Sequence, residues 1–415
     1  MNEKYPIYEL DQAQRLRKLS EDGMLRKNWY KHPDLGECLF KEATPSQSIL
    51  GGGRMDWTEK VVWELTQLLN LPAARSELAT GYFDGSDELT PGVLSVNCIP
   101  PLAQPIAGRE FLMRVGDYNP SDSNQYTIDI VLNALNAINV LPPSRSNSIQ
   151  SIDTGAKLFV GYLLLDALVS NVDRHDRNWS VMSVDGNLEL MPSYDHGLSL
   201  AGDLLDNDIA NLEVADYAKY NLSPFKQGKR SVPVAEVFDH VAKLYPEAAT
   251  IWQNQLAKIT PEQISEIIDR IPDDRITPIS AKFAKNLLAH NQAQILSLQL
   301  STQSQLKQLP TISETSQLAP IQAQVPSPEA ISSVDSTTTE DPNLTAWNAL
   351  HSESGTVTIS PLAPTPSEDP NLAAWEALHS NLDSIISGSN RIEVSSPNPT
   401  LSQEDGESDT LGLDR

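Results

Sequence analysis

Residues 171–182 read NVDRHDRNWSVM and place two aspartates, two arginines, two asparagines and a histidine in one short stretch. Directly before them lies an apolar run, KLFVGYLLLDALVS, at residues 157–170. This run is too short, and too interrupted by Asp166, to span a bilayer, so it predicts a buried helix. Because the end of a buried helix is held in place, we expect the polar stretch to form a rigid loop beside the core.

The residues after this loop predict a β-hairpin. WSVMSV, residues 179–184, and NLELM, residues 187–191, alternate as short strands do. Asp185-Gly186 between them is a two-residue turn signal. The second strand leads into PSYDHG, residues 192–197, which places Asp195 at a strand end. We therefore expect Asp195 to face the same cleft as the polar loop.

The spacing within this region is typical of phosphoryl transfer. A kinase catalytic loop has an Asp that orients the attacking hydroxyl and, five residues later, an Asn that holds Mg²⁺. Asp173 and Asn178 have this spacing, and Asp195 follows the hairpin as a second metal-holding Asp should. Mg²⁺ prefers oxygen ligands of this kind. Asp173 is therefore predicted to be the catalytic base, and Asn178 and Asp195 to hold Mg²⁺ beside ATP.

A strand lysine that contacts the nucleotide phosphates and pairs with a helix glutamate belongs to the same machinery. MLRKNWYK, residues 24–31, and GECLFKEA, residues 36–43, predict two strands joined by a Pro-Asp and Gly turn. Lys41 lies on the second strand. Lys41 is therefore the predicted nucleotide-binding lysine.

The glutamate is expected from DWTEKVVWELTQLLN, residues 56–70, whose apolar residues have helical spacing. Glu59 is predicted to pair with the strand lysine and thus to support nucleotide binding, with Glu64 on the same helix as its rival. Asp56 and Glu59 also predict a capping box at the start of this helix.

Charge and composition exclude several classes of protein. The chain has 415 residues and a net charge of −25, and residues 301–415 contain three basic residues against sixteen acidic ones. Such a tail repels phosphates, which argues against direct nucleic-acid binding. The N-terminus lacks a basic segment followed by an apolar core, and Cys38 and Cys98 form no metal or redox motif. These features predict a cytoplasmic protein without membrane association.

The tail, residues 301–415, is rich in Ser, Thr, Gln and Pro, which predicts disorder. It contains one repeat, EDPNLTAWNALHS at residues 340–352 and EDPNLAAWEALHS at residues 368–380. Each copy starts with an Asp-Pro helix signal and places a Trp on one side of a short helix. This pattern favours docking to a partner protein through Trp347 and Trp375, and an inert linker is the alternative.

The order of the elements predicts an α+β fold with two lobes. Strand patterns come first and helical patterns dominate from about residue 126. We expect a small mixed β/α lobe at residues 1–120 and a larger helical lobe at residues 121–300. Within the helical lobe, the catalytic loop is assigned to residues 171–180 and the metal turn to residues 192–200.

NVDRHDRNWSVM and LMPSYDHGLSL, residues 190–200, together resemble the HipA-like kinase family, whose loop reads Asp-x-x-x-x-Asn with a His between and whose metal Asp follows a Tyr. The FK strand, the helix glutamate and the DDRI segment at residues 273–276 are similar as well. The resemblance covers roughly residues 15–295. It implies a protein-kinase-like fold and ATP-dependent phosphorylation of a Ser or Thr in a protein substrate.

Other residues near these motifs have supporting or regulatory roles in this interpretation. His175 is expected to brace the loop by hydrogen bonding rather than to react. Arg174 and His196 are structural or close to the phosphates. The segment TPSQS, just past the strand lysine, offers candidate autophosphorylation sites at Thr44, Ser46 and Ser48.

Two other functional classes stay open. Asp173, His175, Asp195 and His196 offer the ligands of a metal-dependent phosphohydrolase, but such an enzyme has no need of Lys41 on its strand. A pseudokinase would act as a scaffold through the tail repeats. Retention of the base, the metal ligands and the lysine argues against this second alternative.

Overall fold

A computed structural model describes residues 3–16, 26–43, 53–83, 88–146 and 149–300. Its strands are β1 (Tyr8–Glu9), β2 (Lys27–His32), β3 (Gly36–Glu42), β4 (Ser76–Gly81), β5 (Thr90–Val96), β6 (Pro105–Ala107), β7 (Ser180–Val184), β8 (Asn187–Leu190), β9 (Leu222–Gln227) and β10 (Arg230–Pro233). Its helices are α1 (Asp56–Leu69), α2 (Gly108–Val115), α3 (Ile128–Ala137), α4 (Gly155–Val169), α5 (Asp206–Ala210), α6 (Val214–Tyr220), α7 (Val234–Leu244), α8 (Pro246–Leu256), α9 (Pro261–Asp269) and α10 (Pro278–Ser297). Most of the helices lie in the second half of the described chain, as predicted.

The first lobe is built on a five-stranded sheet with the order β1-β4-β5-β3-β2. β1 pairs parallel with β4, and the other neighbours pair antiparallel. β2 and β3 form the predicted hairpin, and Gly36 at its turn has a φ of +76°, which glycine adopts without strain. Tyr30 and Phe40 on these strands are fully buried. This core fixes the strand that carries Lys41.

Helix α1 lies between β3 and β4 in the chain, and its C-cap residue, Asn70, has a left-handed φ of 52°. The predicted capping box at its start is wrong. Met55 is the N-cap residue, and no side chain caps the helix there. The reason is that Asp56 is fully buried and binds Arg54 and Arg275, at 2.8 Å each from its Oδ2. Hydrogen bonds from a guanidinium group to a carboxylate are stronger than one from a backbone amide, so the Asp56 carboxylate binds the two arginines instead of capping the helix.

Helix α4 lies at the centre of the second lobe and confirms the buried helix that the apolar run predicted. Fourteen of its fifteen residues are buried. Trp252 of α8 packs on Gly161 and donates its indole N–H to Lys157 O at 2.9 Å. Asn291 of α10 donates to Leu168 O at 2.9 Å near the other end. The helix is therefore held at both ends, and the polar loop begins where it stops.

A three-stranded antiparallel sheet, β6-β7-β8, continues from this loop. β7 and β8 form the second predicted hairpin, and Asp185 and Gly186 at its turn have φ values of +49° and +84°. Two residues with positive φ are what a type I′ turn requires. The hairpin therefore lies between the loop at 171–180 and the turn that contains Asp195.

No described helix is long and apolar enough to cross a membrane. The tail with its repeats, and the segment that contains Thr44, Ser46 and Ser48, lie outside the described residues. The predictions about them therefore stay predictions. The proposed division at residue 120 stays one too, although β6 before it pairs with β7 after it.

Candidate active site

Three of the predicted site residues meet in one ion-pair cluster. The Nζ atom of Lys41 lies 3.1 Å from Glu59 Oε1 and 2.8 Å from Asp195 Oδ1. The lysine comes from β3, the glutamate from α1, and Asp195 from the turn after β8. Glu64, the rival on the same helix, instead binds Lys60 at 2.7 Å. The structure therefore connects the sheet, α1 and the acidic turn through one buried ammonium group.

The charges in this cluster stabilise each other. Burial opposes the charged form of Lys41, but Asp195 and Glu59 outweigh it, so the pKa of the ammonium is raised. Burial likewise opposes ionisation of Asp195, yet Lys41 above all lowers the pKa of this carboxyl to about 2. At neutral pH the Asp195 carboxylate is therefore ionised beside the Lys41 ammonium.

The loop from 171 to 180 brings Asp173 and Asn178 into direct contact. The Asn178 amide donates to Asp173 Oδ2 at 2.7 Å and to Asp173 O at 2.8 Å. Burial raises the pKa of the Asp173 carboxyl, the nearby charge of Asp195 also raises it, and His175 opposes this. The Asn178 amide nitrogen thus holds the Asp173 carboxylate in one orientation, and the side-chain oxygen of Asn178, Oδ1, points away from Asp173.

His175 lies within the loop as the sequence predicted. Its Nδ1 accepts a hydrogen bond from Arg177 N at 3.1 Å, and its Nε2 lies 3.5 Å from Asp173 Oδ1. Its backbone N–H also donates to Asp173 O at 2.8 Å. These contacts are those of a bracing residue, and the role itself stays a prediction.

Arg174 is structural in this fold. Its guanidinium is 1% exposed and binds both carboxylate oxygens of Asp166 at 2.8 Å each. It also donates to Asn178 O at 3.1 Å and to Ser193 Oγ at 2.9 Å. Arg174 thereby joins α4, the loop and the start of the turn that contains Asp195. Sequence reasoning gave Arg174 no definite role.

Asp166 and Asp176 are structural supports of the loop that sequence reasoning missed. Asp166 accepts a third hydrogen bond, from the Asn171 amide, at 2.8 Å. Asp176 is buried and receives two hydrogen bonds from Arg109, at 2.9 and 3.1 Å, and one from Tyr118 at 2.7 Å. For Asp166 the available signal was a lone carboxylate within an apolar helix, because such a group must find a cationic partner when the helix is buried.

The turn that carries Asp195 has an unusual backbone. Asp195 has a φ of +60°, and Leu200 and Ala201 further along have φ values of +57°. Asp is among the residues that tolerate such angles, whereas Leu and Ala rarely adopt them, and residues of that kind are common at functional sites. His196 is buried, its Nε2 lies 2.8 Å from Ser193 Oγ, and burial and then the charge of Arg174 lower its pKa well below the usual value. This imidazole is therefore neutral and structural.

The phosphohydrolase alternative requires Asp173, His175, Asp195 and His196 to converge on one metal ion. Within the described ranges, no group of three or more His, Cys, Asp or Glu side chains is arranged to hold a metal. His196 is turned towards Ser193 instead. The described geometry therefore does not favour a His/carboxylate hydrolase site.

Comparison with known proteins agrees with the fold. No protein-family model matches the chain, and no curated protein matches it by sequence. Among solved structures, the Helicobacter pylori proinflammatory kinase CtkA is 16% identical, with a TM-score of 0.53, and the match covers 70% of this chain and 96% of that chain. The chain has a protein-kinase-like fold. The two-lobed α+β architecture predicted from the sequence is thereby confirmed.

Two further solved structures match with lower scores. HipA from the HipA–HipB–operator DNA complex of Shewanella oneidensis MR-1 is 16% identical, with a TM-score of 0.40 and coverage of 71% of this chain and 66% of that chain. The Golgi casein kinase is 12% identical, with a TM-score of 0.34 and coverage of 71% and 72%. The expected relationship to kinases is thus found as a likeness of fold to the kinase CtkA.

Proposed function

We propose that the protein is an ATP-dependent phosphotransferase, a HipA-like kinase that phosphorylates a Ser or Thr hydroxyl of a protein. The observation that carries the proposal is the buried contact of Lys41 with both Glu59 and Asp195. In a kinase, the strand lysine must pair with a helix glutamate and lie beside the metal-binding Asp. These three residues come from distant parts of the sequence, so their meeting is a property of the folded site.

The donor set of this site suits Mg²⁺. Mg²⁺ is usually held by one or two carboxylates and keeps several waters. Asp195 would supply a carboxylate and Asn178 its carbonyl oxygen, which points away from Asp173 because the amide nitrogen donates to that residue. When bound, the ion would neutralise charge on the phosphate oxygens of ATP. Lys41 would bind the same phosphates, and Glu59 would hold the lysine in place.

Asp173 is assigned the part of the base. Its carboxylate would accept a hydrogen bond from the acceptor hydroxyl and orient the oxygen for attack. The raised pKa of this carboxyl makes the carboxylate a better hydrogen-bond acceptor, and the Asn178 amide keeps it from rotating. His175 would support the loop through its contacts with Arg177 N and Asp173, without reacting.

The remaining parts of the proposal concern the setting of the enzyme. A cytoplasmic location is consistent with Cys38 and Cys98, which are both free thiols in the structure. The tail repeats would dock a partner protein through Trp347 and Trp375. Autophosphorylation at Ser46 or Ser48 would place negative charge near the nucleotide and slow turnover.

The deciding experiment incubates the full-length protein with labelled ATP, Mg²⁺ and lysate proteins, and identifies phosphosites by mass spectrometry. Asp173→Ala is expected to lower transfer by about 10²- to 10⁴-fold, because positioned bases contribute that much. Its affinity for Mg²⁺·ATP is expected to stay near that of the wild type. Asn178→Ala and Asp195→Ala are expected to weaken Mg²⁺·ATP binding itself.

The variants separate this proposal from a pseudokinase. A protein that binds Mg²⁺·ATP but transfers no phosphate, with or without Asp173, would be a pseudokinase. Equal transfer by the wild type and Asp173→Ala would remove Asp173 as the base. Phosphotyrosine or a phosphorylated small molecule as the main product would contradict the Ser/Thr protein assignment.

A further inference from the structure

The DDRI segment, residues 273–276, has no part in the chemistry proposed above, yet it lies against helix α1. Arg275 of this segment is 1% exposed. Its Nη1 donates to Asp56 Oδ2 at 2.8 Å, and its Nη2 donates to Ala79 O at 3.1 Å. One guanidinium from the helical lobe therefore joins the first residue of α1 to strand β4.

A buried ion pair of this kind is weak evidence for stability alone. Desolvation of two charges offsets most of their attraction, and apolar residues of similar volume often serve as well. What the pair does impose is geometry, because a planar guanidinium with two fixed acceptors allows one arrangement. Arg54 also binds Asp56, at 2.8 Å, so the first turn of α1 is fixed from two directions.

The turn of α1 that Arg275 holds is the turn that enters the candidate active site. Glu59, which contacts Lys41, lies three residues after Asp56. Thr58 between them donates its hydroxyl to Gly197 O at 2.9 Å, two residues after Asp195. A small rotation or shift of this turn would therefore move the glutamate and loosen the contact with the acidic turn.

A second contact connects the same helix to Arg270, the C-cap residue of α9. Two cations lie over the Tyr5 ring, Arg270 at 4.2 Å and Lys60 of α1 at 4.5 Å from its centroid. The Tyr5 N–H donates to Arg270 O at 2.7 Å. Residues 270–275 thus hold α1 at its first residue through Arg275 and at Lys60 through Tyr5.

We propose that Arg275 is a positioning residue that holds α1 where Glu59 meets Lys41. This inference rests on the proposed kinase function, because only in a kinase is the Lys41–Glu59 contact needed to bind the nucleotide phosphates. It adds that the contact is set from the helical lobe, by a residue 219 positions away in sequence from its partner Asp56. Arg275 touches neither nucleotide phosphates nor acceptor in this account.

The test compares Arg275→Met, Arg275→Lys and Leu288→Ala with the wild type, at a temperature below the unfolding transition of each. Leu288 is a fully buried residue of α10 and serves as the control for lost stability. Arg275→Met is expected to lower kcat/KM for ATP by about 10- to 100-fold, as small misplacements do. Arg275→Lys is expected to recover part of this loss, since it keeps the charge for Asp56. Leu288→Ala is expected to change kcat/KM less than twofold.

A double-mutant cycle with Glu59→Gln asks whether Arg275 acts through the glutamate. If it does, Arg275→Met should have little further effect on kcat/KM once Glu59 is changed, because the contact it positions is already lost. Full additivity of the two losses would overturn the proposal. So would a loss of kcat/KM in Leu288→Ala as large as that in Arg275→Met.

Hydrogen exchange of α1 separates failure of this inference from failure of the proposed function. If the wild type transfers no phosphate, the kinase assignment falls, and the exchange of the amides at residues 58–62 still decides whether Arg275 holds the helix. Faster exchange there in Arg275→Met than in Leu288→Ala supports the positioning role. Equal exchange in the two variants overturns it. Asp56→Asn repeats this comparison from the other partner, should Arg275→Met fail to fold.

Discussion

Lys41 has two carboxylate partners, and their contributions differ. Asp195 lies nearer, at 2.8 Å, and belongs to the turn that would hold the metal, whereas Glu59 lies at 3.1 Å on α1. Asp195 would share its carboxylate between the lysine and Mg²⁺, whereas Glu59 would serve the lysine alone. At the residue scale, the proposed function therefore depends on the ion pair of Lys41 with Glu59 rather than with Glu64.

Glu59→Gln and Glu64→Gln form a matched pair, since both change one carboxylate of the same helix. Glu59→Gln is expected to lower kcat/KM for ATP by about 10- to 100-fold, because hydrogen bonds to charged groups contribute about 1.5–3 kcal/mol. Glu64→Gln is expected to change it less than twofold, because Lys60 keeps its bond to Glu77 at 2.7 Å. Steady-state kinetics at varied ATP measure both losses. A larger loss in Glu64→Gln than in Glu59→Gln would show that Glu59 is not the functional partner of Lys41.

The two thiols should react slowly in the folded protein. Burial raises the pKa of Cys38 to about 11 and that of Cys98 to about 11. The thiolate is the reactive form, so at pH 8 it is about a thousandth of each thiol. A disulfide reagent should therefore modify both cysteines far more slowly in the native than in the unfolded protein, with a native rate that rises with pH. Rapid native reaction at pH 8, localised by comparison with Cys98→Ser, would contradict this.

At the scale of elements, α4 positions the loop because its neighbours approach it closely. Gly161 is where Trp252 packs, and a Cβ atom there would lie 2.4 Å from the Trp252 ring. The aromatic ring can approach only because the glycine has no side chain. The end of α4, and with it the start of the catalytic loop, depends on this packing.

Gly161→Ala is therefore expected to destabilise the protein, although alanine is the better helix former by about 0.5–1 kcal/mol. The clash should outweigh that gain and lower the free energy of unfolding by about 1–3 kcal/mol, the usual effect of overpacking. Gly116→Ala is the control, because no atom lies within 4 Å of its added Cβ. Urea denaturation followed by circular dichroism compares the midpoints. A stabilised Gly161→Ala would show that the helix can shift away from the ring.

At the scale of the whole molecule, the described residues contain the candidate base, the candidate metal ligands and the predicted nucleotide-binding residues. Lys41, Glu59, Asp173, Asn178 and Asp195 all lie before residue 300. The acidic, Pro-broken sequence that follows is predicted to add little to a core. The chain is therefore expected to divide into a catalytic part and a part that recruits partners.

Removal of residues 301–415 should leave the unfolding midpoint and Mg²⁺·ATP affinity unchanged, while partner capture is lost. Capture should also be lost when Trp347 and Trp375 are both changed to Ala. Each single change should only weaken it, because a second equivalent motif maintains the effective concentration. Pull-downs with wild type, both single variants and the double variant measure this. Equal recovery from all four proteins would indicate an inert linker.

The sequence by itself determined the local elements and the spacing of the chemistry. The apolar run at 157–170, the Asp185-Gly186 turn and the strand that carries Lys41 could be predicted because periodicity and turn chemistry are local properties. The Asp173–Asn178 contact follows from their spacing in one short loop.

Only the tertiary structure decided which charged groups meet inside the molecule. In the folded protein Lys41 pairs with Glu59 rather than with Glu64. Asp56 binds Arg275 instead of capping its helix, and Asp166 pairs with Arg174. The physical reason is that a buried charge must be matched by whichever opposite charge the packing brings near. For Asp56 that partner is Arg275, 219 residues away in the segment between α9 and α10, and no local sequence pattern predicts that this segment packs against α1.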